Sequence, residues 1–334
     1  MSSQMRQGES ALQSKSTSAL NIGAVVGSDT VAVALMSAVL AVRAAEPVVA
    51  VVPEDGTGDE ALPCTTFFPI EHGDLESGVR SCVRAQTGVD LHFLEQLCTL
   101  GNSAKDDAGP HIISVSYLAL VDPRQCNDRT RASWRSWYSF LPWEDWRSGK
   151  PDCLNEIDAR LEAWAEKDGP ESSPTDRRQR IRVTFGGAGV LWDEEKVAER
   201  YQVLSEAGIV GPGADGGIAQ RLQRLVHPIL GDQSSVLARA IGELRRAIKH
   251  RPVVFELMHE EFTLFELQKA VEAILGPHLH KQNFRRLVEG SGLVEPAGGV
   301  RLRTGGRPAQ LYRFRRDVVY ERTSPGMRLK PGRV

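Results

Sequence analysis

The chain has 334 residues, an apolar fraction of 41% and a charged fraction of 25%, which fits a soluble globular protein long enough for two hydrophobic cores. Five scattered cysteines without a Cys-x-x-Cys pair argue against a zinc knuckle or a disulfide framework and fit a reducing cytosol. The net charge of −2 hides an asymmetry: from His280 to Val334 thirteen lysines and arginines face four acids, a net +9, which leaves −11 for residues 1–279. An acidic body joined to a basic tail points to nucleic acid or an anionic surface.

Met1–Ser18 is rich in Ser and Gln and lacks the basic start and compact apolar stretch of a secretory signal, so it reads as a disordered tail. Val31–Val42, the longest apolar run, contains Ser37 and stops at Arg43. It is too short to span a membrane and reads as a core strand. Ala38–Arg43 and Val48–Val52 are strand-like, with Glu46-Pro47 as the turn between them. Residues 53–73 read as loop. Leu75–Thr87 has Leu75, Val79 and Val83 at helical spacing and is closed by Gly88. Phe93–Leu100 and Ile112–Val121 complete the strands, and strands around one helix predict an α/β layer domain.

Trp134, Trp137, Trp143 and Trp146 fall within thirteen residues, interleaved with arginines. Such a segment is either a cap packed onto the first domain or a stacking wall for a base or nicotinamide. In Trp143-Glu144-Asp145-Trp146-Arg147, rings, acceptors for hydroxyls and a phosphate-pairing guanidinium lie within five residues. Leu154–Trp164 reads as helix and Asp168–Asp176 as loop. Phe185-Gly186-Gly187-Ala188-Gly189 lacks the trailing Lys-Ser/Thr of a phosphate loop and reads as a plain loop. A helix is expected from near Asp193 to Ala207, ending at Gly208. Another, capped by Asp232 or Ser234, runs to about Lys249. It has Leu237, Ile241, Leu244 and Ile248 on one face, with Arg239, Arg245 and Arg246 off it.

Pro252–Met258 reads as the first helix of a carboxy-terminal module. Thr263 and Glu266 form a capping box, with Phe262 and Leu267 as its hydrophobic staple, and Gly276-Pro277 ends that helix. His278-x-His280 has no ligand-like neighbours and reads as a solvated turn, and no metal site is expected. In His280–Glu289, Lys281, Gln282, Arg285 and Arg286 share one polar arc, opposite Phe284, Leu287 and Val288. Leu293–Glu295 and Leu311–Arg315 can pair as a hairpin carrying Arg301, Arg303, Arg307 and Arg313. Three helices followed by a basic hairpin is the order of a winged helix, with the polar arc presented to DNA.

Phe284-Arg285-Arg286, Ser291–Pro296 and Gly306–Arg313 resemble the winged-helix tail of Nudix-related transcriptional regulators. Leu94–Gly101 and Ile113–Leu120 resemble their Nudix-type domain. Trp134–Tyr138 with Leu141–Arg147, Trp192–Glu195, Arg200-Tyr201 and Glu206–Gly208 resemble the alphaproteobacterial branch, the regulators of NAD biosynthesis. The resemblance implies a cytoplasmic, dimeric repressor that binds double-stranded operator DNA and senses NAD, ADP-ribose or ATP, with no resident cofactor. The expected effector contacts are Arg43, Arg84, Trp143, Trp146 and Arg147. Nudix hydrolases hold metal on helix glutamates; at the corresponding Ser81–Val89 stand Cys82, Ala85 and Gln86, so no catalytic residues and no hydrolase activity are expected. The alternatives are a pyrophosphohydrolase with a DNA-binding tail and a non-enzymatic adaptor using the tryptophan-rich region.

The expected architecture is an α/β (α+β) Nudix-like sandwich followed by a winged helix-turn-helix. Its expected parts are a tail at 1–35, a Nudix-like sensor at 36–126, a tryptophan-rich and helical extension at 127–230, and a connector helix at 231–250. A winged helix at 251–316 and a basic tail at 317–334 complete the chain.

Overall fold

In the computed structural model the described residues are 31–54, 59–102, 111–126, 131–167, 173–211, 233–301, 308–321 and 326–327. The long apolar run near the start becomes the central strand, β1 (Val31–Arg43). It is joined by β2 (Glu46–Pro53), β3 (Glu60–Ala61), β4 (Cys64–Thr66), β5 (Phe93–Asn102), β6 (His111–Leu120) and β7 (Ser133–Ser136). The main path is β3-β2-β1-β6-β5, with β4 pairing β1 and β7 pairing β2. β1 and β6 run parallel, and the other pairs are antiparallel. Met36, Ala38, Leu40 and Val42 enter one core, while Leu35, Val39 and Ala41 enter another on the opposite face. A strand covered on both faces needs no polar alternation, which is why it reads as one apolar run.

Two boundaries differ from expectation. Val31–Leu35 already pair with His111–Val115, so the division at residue 35 falls inside β1. The turn is Ala44-Ala45, not Glu46-Pro47. Both alanines have positive φ, 49° and 66°, and Pro47 lies within β2 opposite Val42. Neither Gly nor Asn marks this turn, so its usual sequence signal is missing.

Helix α1 (Pro69–His72) leads into α2 (Leu75–Thr87), which covers the second face with Val79 and Val83. Asp74 caps α2 by accepting from Ser77 N, and Gly88 ends it in the left-handed region. The first face is covered by 3-10 turns at Trp137–Ser139 and Pro142–Glu144, then by α3 (Cys153–Ala165), α4 (Pro174–Phe185), α5 (Val197–Glu206) and α6 (Gln233–His250). The expected loop to Asp176 is already helix from Pro174, where Ser173 and Asp176 form a capping box. Helix α5 starts at Val197 rather than near Asp193, whose carboxylate accepts from Glu195 N in the preceding turn.

The carboxy-terminal module opens with a 3-10 turn at Val253–Leu257 instead of a full helix. It continues with α7 (Leu264–Leu275), α8 (Lys281–Ser291), β8 (Val294–Arg301), β9 (Ala309–Phe314) and α9 (Val318–Glu321). The Thr263–Glu266 capping box is present in both directions. Phe262 bridges Tyr312 in β9. One hydrophobic cluster runs without a break from Met36 and Leu40 through Leu237 and Ile241 to Phe284, Val288 and Tyr312. The sheet and the winged module therefore share a core.

Gly242 lies within α6, and a Cβ there would meet Glu195 O at 2.8 Å. Gly→Ala inside a helix ordinarily stabilises by about 0.5–1 kcal/mol, but here the side chain would press on a backbone oxygen. Gly242→Ala is expected to destabilise by ~1–3 kcal/mol, read as a lower urea midpoint; a raised midpoint would refute the close packing of the 193–197 segment on α6.

Candidate nucleic-acid interface and its attachment

Helix α8 has two sides. Phe284 and Val288 are buried beneath it, whereas Lys281, Gln282, Arg285 and Arg286 are all exposed. The structure thus gathers these four expected contacts on one surface. Arg285 Nε donates to Glu289 at 2.9 Å along the helix, an exposed pair of little net energy that a phosphate could replace. In the wing, Arg313 pairs with Glu295 at 2.7 Å and remains exposed. Arg301 instead reaches back to Glu266 and to the carbonyl of Glu261, fastening the wing to the start of α7. Arg303 and Arg307 lie outside the described residues. Beneath the wing, Phe314 stacks on Phe255 with ring centroids 4.4 Å apart.

The module is attached to the rest of the chain by buried charge. Glu144, Arg200 and Arg245 are fully enclosed. Arg200 Nε donates to Glu144 Oε1 at 2.6 Å and Nη2 to Oε2 at 2.8 Å. Arg245 Nη1 donates to Glu144 Oε2 at 2.7 Å. The remaining guanidinium donors find carbonyls: Thr184 and Asp193 for Arg200, Ile274, Glu194 and Glu144 for Arg245. Arg200 also lies 3.8 Å from the centre of the Trp192 ring. Arg245 is thus buried, not off the apolar face as the helical spacing suggests, because its carboxylate and carbonyl partners arrive from distant segments. Glu144 is likewise no free acceptor for a ligand hydroxyl. Burial pushes its carboxyl upward, but Arg200 and then Arg245 outweigh that and hold it below its ordinary value of 4.5. Among exposed links, Arg251 donates to Glu95 of β5 at 2.6 and 2.9 Å.

The five expected effector residues do not form one group. Trp143 is wholly enclosed in the core and offers no free ring face. Trp146 packs on Trp192, centroids 4.7 Å apart, and Arg147 lies over the Tyr138 ring while donating to Glu46 and Asp145. Arg43 stands opposite Glu46 across the β1–β2 turn, and Glu46 pairs with Arg147. Arg84 sits on α2, across the sheet, paired with Asp90. On that helix the Gln86 amide donates to Cys64 O at 2.9 Å and accepts from Cys64 N at 3.2 Å, holding β4. Burial pushes the Cys64 and Cys82 thiols up to about 12, which keeps both protonated. Among the described residues no three His, Cys, Asp or Glu side chains form a group that could hold a metal ion. No described helix is long and apolar enough to cross a membrane.

Residues 254–314 match the family model of the NrtR DNA-binding winged helix domain. The carboxy-terminal module is therefore similar to the NrtR winged helix domain over that segment. The chain is also 41% identical over 92 residues to an ADPR responsive transcriptional repressor NtrR from Acinetobacter baylyi, a stretch that covers 28% of this chain and 36% of that protein. The chain thus spans about a third of the length of the curated relative it matches. Two crystal structures of Shewanella oneidensis NrtR share its fold. The complex with a 27mer DNA has a TM-score of 0.54 at 19% identity, covering 86% of this chain and 95% of that one. NrtR alone has a TM-score of 0.52 at 20% identity, covering 85% and 94%. The fold is therefore that of the Shewanella protein, an α/β sheet domain followed by a winged helix. Sequence reasoning found the module and its polar arc but gave Arg200 and Tyr138 no role and misplaced Glu144 and Arg245.

Glu144→Gln leaves two buried guanidiniums without their counter-charge and is expected to cost ~3–5 kcal/mol, measured by urea unfolding at neutral pH. The sign with pH follows from the depressed carboxyl. Its contribution is full above pH 4.5 and is lost as pH falls through the lower folded value. The gap between wild type and Glu144→Gln should therefore narrow on acidification; a gap independent of pH down to about 3, well below the ordinary carboxylate range, would contradict the assignment.

Proposed function

We propose that this chain is a ligand-responsive transcriptional repressor of the NrtR kind, binding operator DNA as a homodimer and controlling genes of NAD biosynthesis. The observation that carries the reading is the exposed basic face of α8, set above Phe284 and Val288, inside a segment that matches the NrtR winged helix domain. Arg285 and Gln282 contact base edges in the major groove, and Lys281, Arg286 and Arg313 contact phosphates. Arg303 and Arg307 extend the wing contact, with Arg307 in the minor groove, while Arg301 anchors the wing. One such helix reads only a short half-site, which is the reason for a dimer on a two-fold operator.

The effector in this reading is ADP-ribose, because the similar Acinetobacter repressor is ADPR responsive. We place its contacts at Arg43, Trp146 and Arg147, where phosphates would take over donors now directed at Glu46 and Asp145. The chain carries no pyrophosphohydrolase activity in this proposal. Gln86 is spent on Cys64, and Asp74 on capping α2, so hard divalent cations meet no carboxylate cluster there.

The test is binding to the best duplex selected from a randomised pool, with and without ADP-ribose. Arg285→Ala should lose ~1–3 kcal/mol and relax preference at one base position. Lys281→Ala should weaken all sequences and make the salt slope shallower by about one unit. Wild-type behaviour of both variants would refute the docking. With Mg²⁺ or Mn²⁺, ADP-ribose should raise the melting temperature yet yield no AMP by chromatography; AMP formation would restore the enzyme reading.

A further inference from the structure

A helix leaves its last four carbonyls without internal partners. In α7 these belong to Glu272, Ala273, Ile274 and Leu275. Gly276 N donates to Glu272 O in the ordinary way. The next two are bonded by side chains from far along the chain. The Tyr138 hydroxyl donates to Ala273 O at 2.8 Å, and Arg245 Nε donates to Ile274 O at 2.8 Å. Tyr138 belongs to the tryptophan-rich segment and Arg245 to α6, and Arg245 Nη2 also donates to the Tyr138 oxygen at 3.3 Å. A cation at a helix carboxyl end also suits the helix dipole. The turn that follows is pressed on the same segment. Gly276 has φ +96°, and a Cβ there would lie 3.2 Å from Trp146 Cβ and 3.5 Å from Glu144 O.

The other side of the turn is held by α7 itself. Glu272 and Gln268 are buried. Glu272 Oε1 accepts from Leu279 N at 3.0 Å and from Gln268 Nε2 at 2.8 Å, and Gln268 Nε2 also donates to Leu279 O at 2.8 Å. Leu279 stands two residues before α8. Polar groups with fixed geometry therefore run from Glu144 through Arg245 and Tyr138 to the end of α7, and from Glu272 to the start of α8. The links from Glu144 to the end of α7 are buried hydrogen bonds, strong in a low-dielectric interior and costly to leave unmade, and the two that reach Leu279 are part-buried.

We infer that Tyr138 and Glu144 are positioning residues for the recognition helix: they fix the carboxyl end of α7, and through it the angle at which α8 is presented to DNA. The inference rests on the reading of α8 as the DNA-contacting helix. Neither residue touches DNA. Loosening them leaves the basic face of α8 intact but lets the helix sample more orientations. Base contacts depend on orientation, whereas long flexible side chains still find phosphates. Such a defect lowers discrimination between sequences rather than binding as such.

The experiment compares folded Tyr138→Phe, Glu144→Gln and Arg285→Ala, using the best duplex from a randomised pool and a shuffled duplex of equal length and charge. Tyr138→Phe removes a single oxygen, so the fold survives even if Glu144→Gln proves too unstable. Tyr138→Phe is expected to reduce the ratio of selected to shuffled affinity roughly three- to tenfold, the range one hydrogen bond supports. Shuffled-duplex affinity and salt slope should stay at their wild-type values. Amide exchange should speed up at 278–280, with the β8–β9 hairpin unchanged. A merely structural role would lower the folded fraction and leave the ratio intact. If Tyr138→Phe keeps the wild-type ratio while Arg285→Ala loses affinity, positioning is refuted and DNA docking stands. If no duplex is enriched, or Arg285→Ala binds like wild type, the docking fails and takes the positioning with it.

Discussion

One carboxylate between two guanidiniums holds this molecule together. Glu144 comes from the tryptophan-rich segment, Arg200 from α5 and Arg245 from α6, and the carbonyls that absorb the excess positive charge come from α4, α7 and the turn before α5. Removing three charges from water is expensive, and apolar residues of equal size often stabilise as well or better. What apolar residues could not supply is direction. The guanidinium forks fix the relative placement of six segments at once, because their planar donors meet acceptors that come from all of them.

Around this centre the packing is continuous. The face of the sheet formed by Met36, Leu40 and Val51 shares its hydrophobic cluster with Leu237 and Ile241 of α6 and with Phe284 of α8. Helix α6 is thus less a spacer between two bodies than the middle layer of one. That makes the chain mechanically suited to carry a signal, since a displacement in a close-packed interior is passed on rather than absorbed. The Arg251–Glu95 pair and the His259–Asp122 contact at 3.2 Å tie the same two regions at the surface, where solvent weakens them.

Much of this was legible in the sequence wherever structure is set by neighbours along the chain. Thr263 with Glu266 and Gly88 after Thr87 are local signals; the first starts a helix and the second ends one where expected. The α8 faces followed from spacing alone. Legibility failed where the decisive partner is remote. Arg245 sits on a helix whose apolar stripe omits it, and nothing nearby reveals that Glu144, 101 residues away, encloses it. The Ala44-Ala45 turn has no glycine or asparagine to announce it. Helix α4 is polar almost throughout, so its periodicity is faint, although Ser173-Pro174-x-Asp176 marks its start. Trp143 illustrates the opposite error, because an aromatic beside charges invites a ligand reading while its ring is simply core.

The Gln86 amide bears on which side chains this position can hold. An amide can both give and receive a hydrogen on Cys64, and β4 is fastened by that exchange. A glutamate at the same place could receive from the nitrogen but, ionised, could give nothing to the oxygen. An acidic side chain at position 86 would therefore undo half of this strand attachment. Position 86 thus acts as a clasp between helix and strand that an amide closes, whereas an acid there leaves the Cys64 carbonyl without its donor.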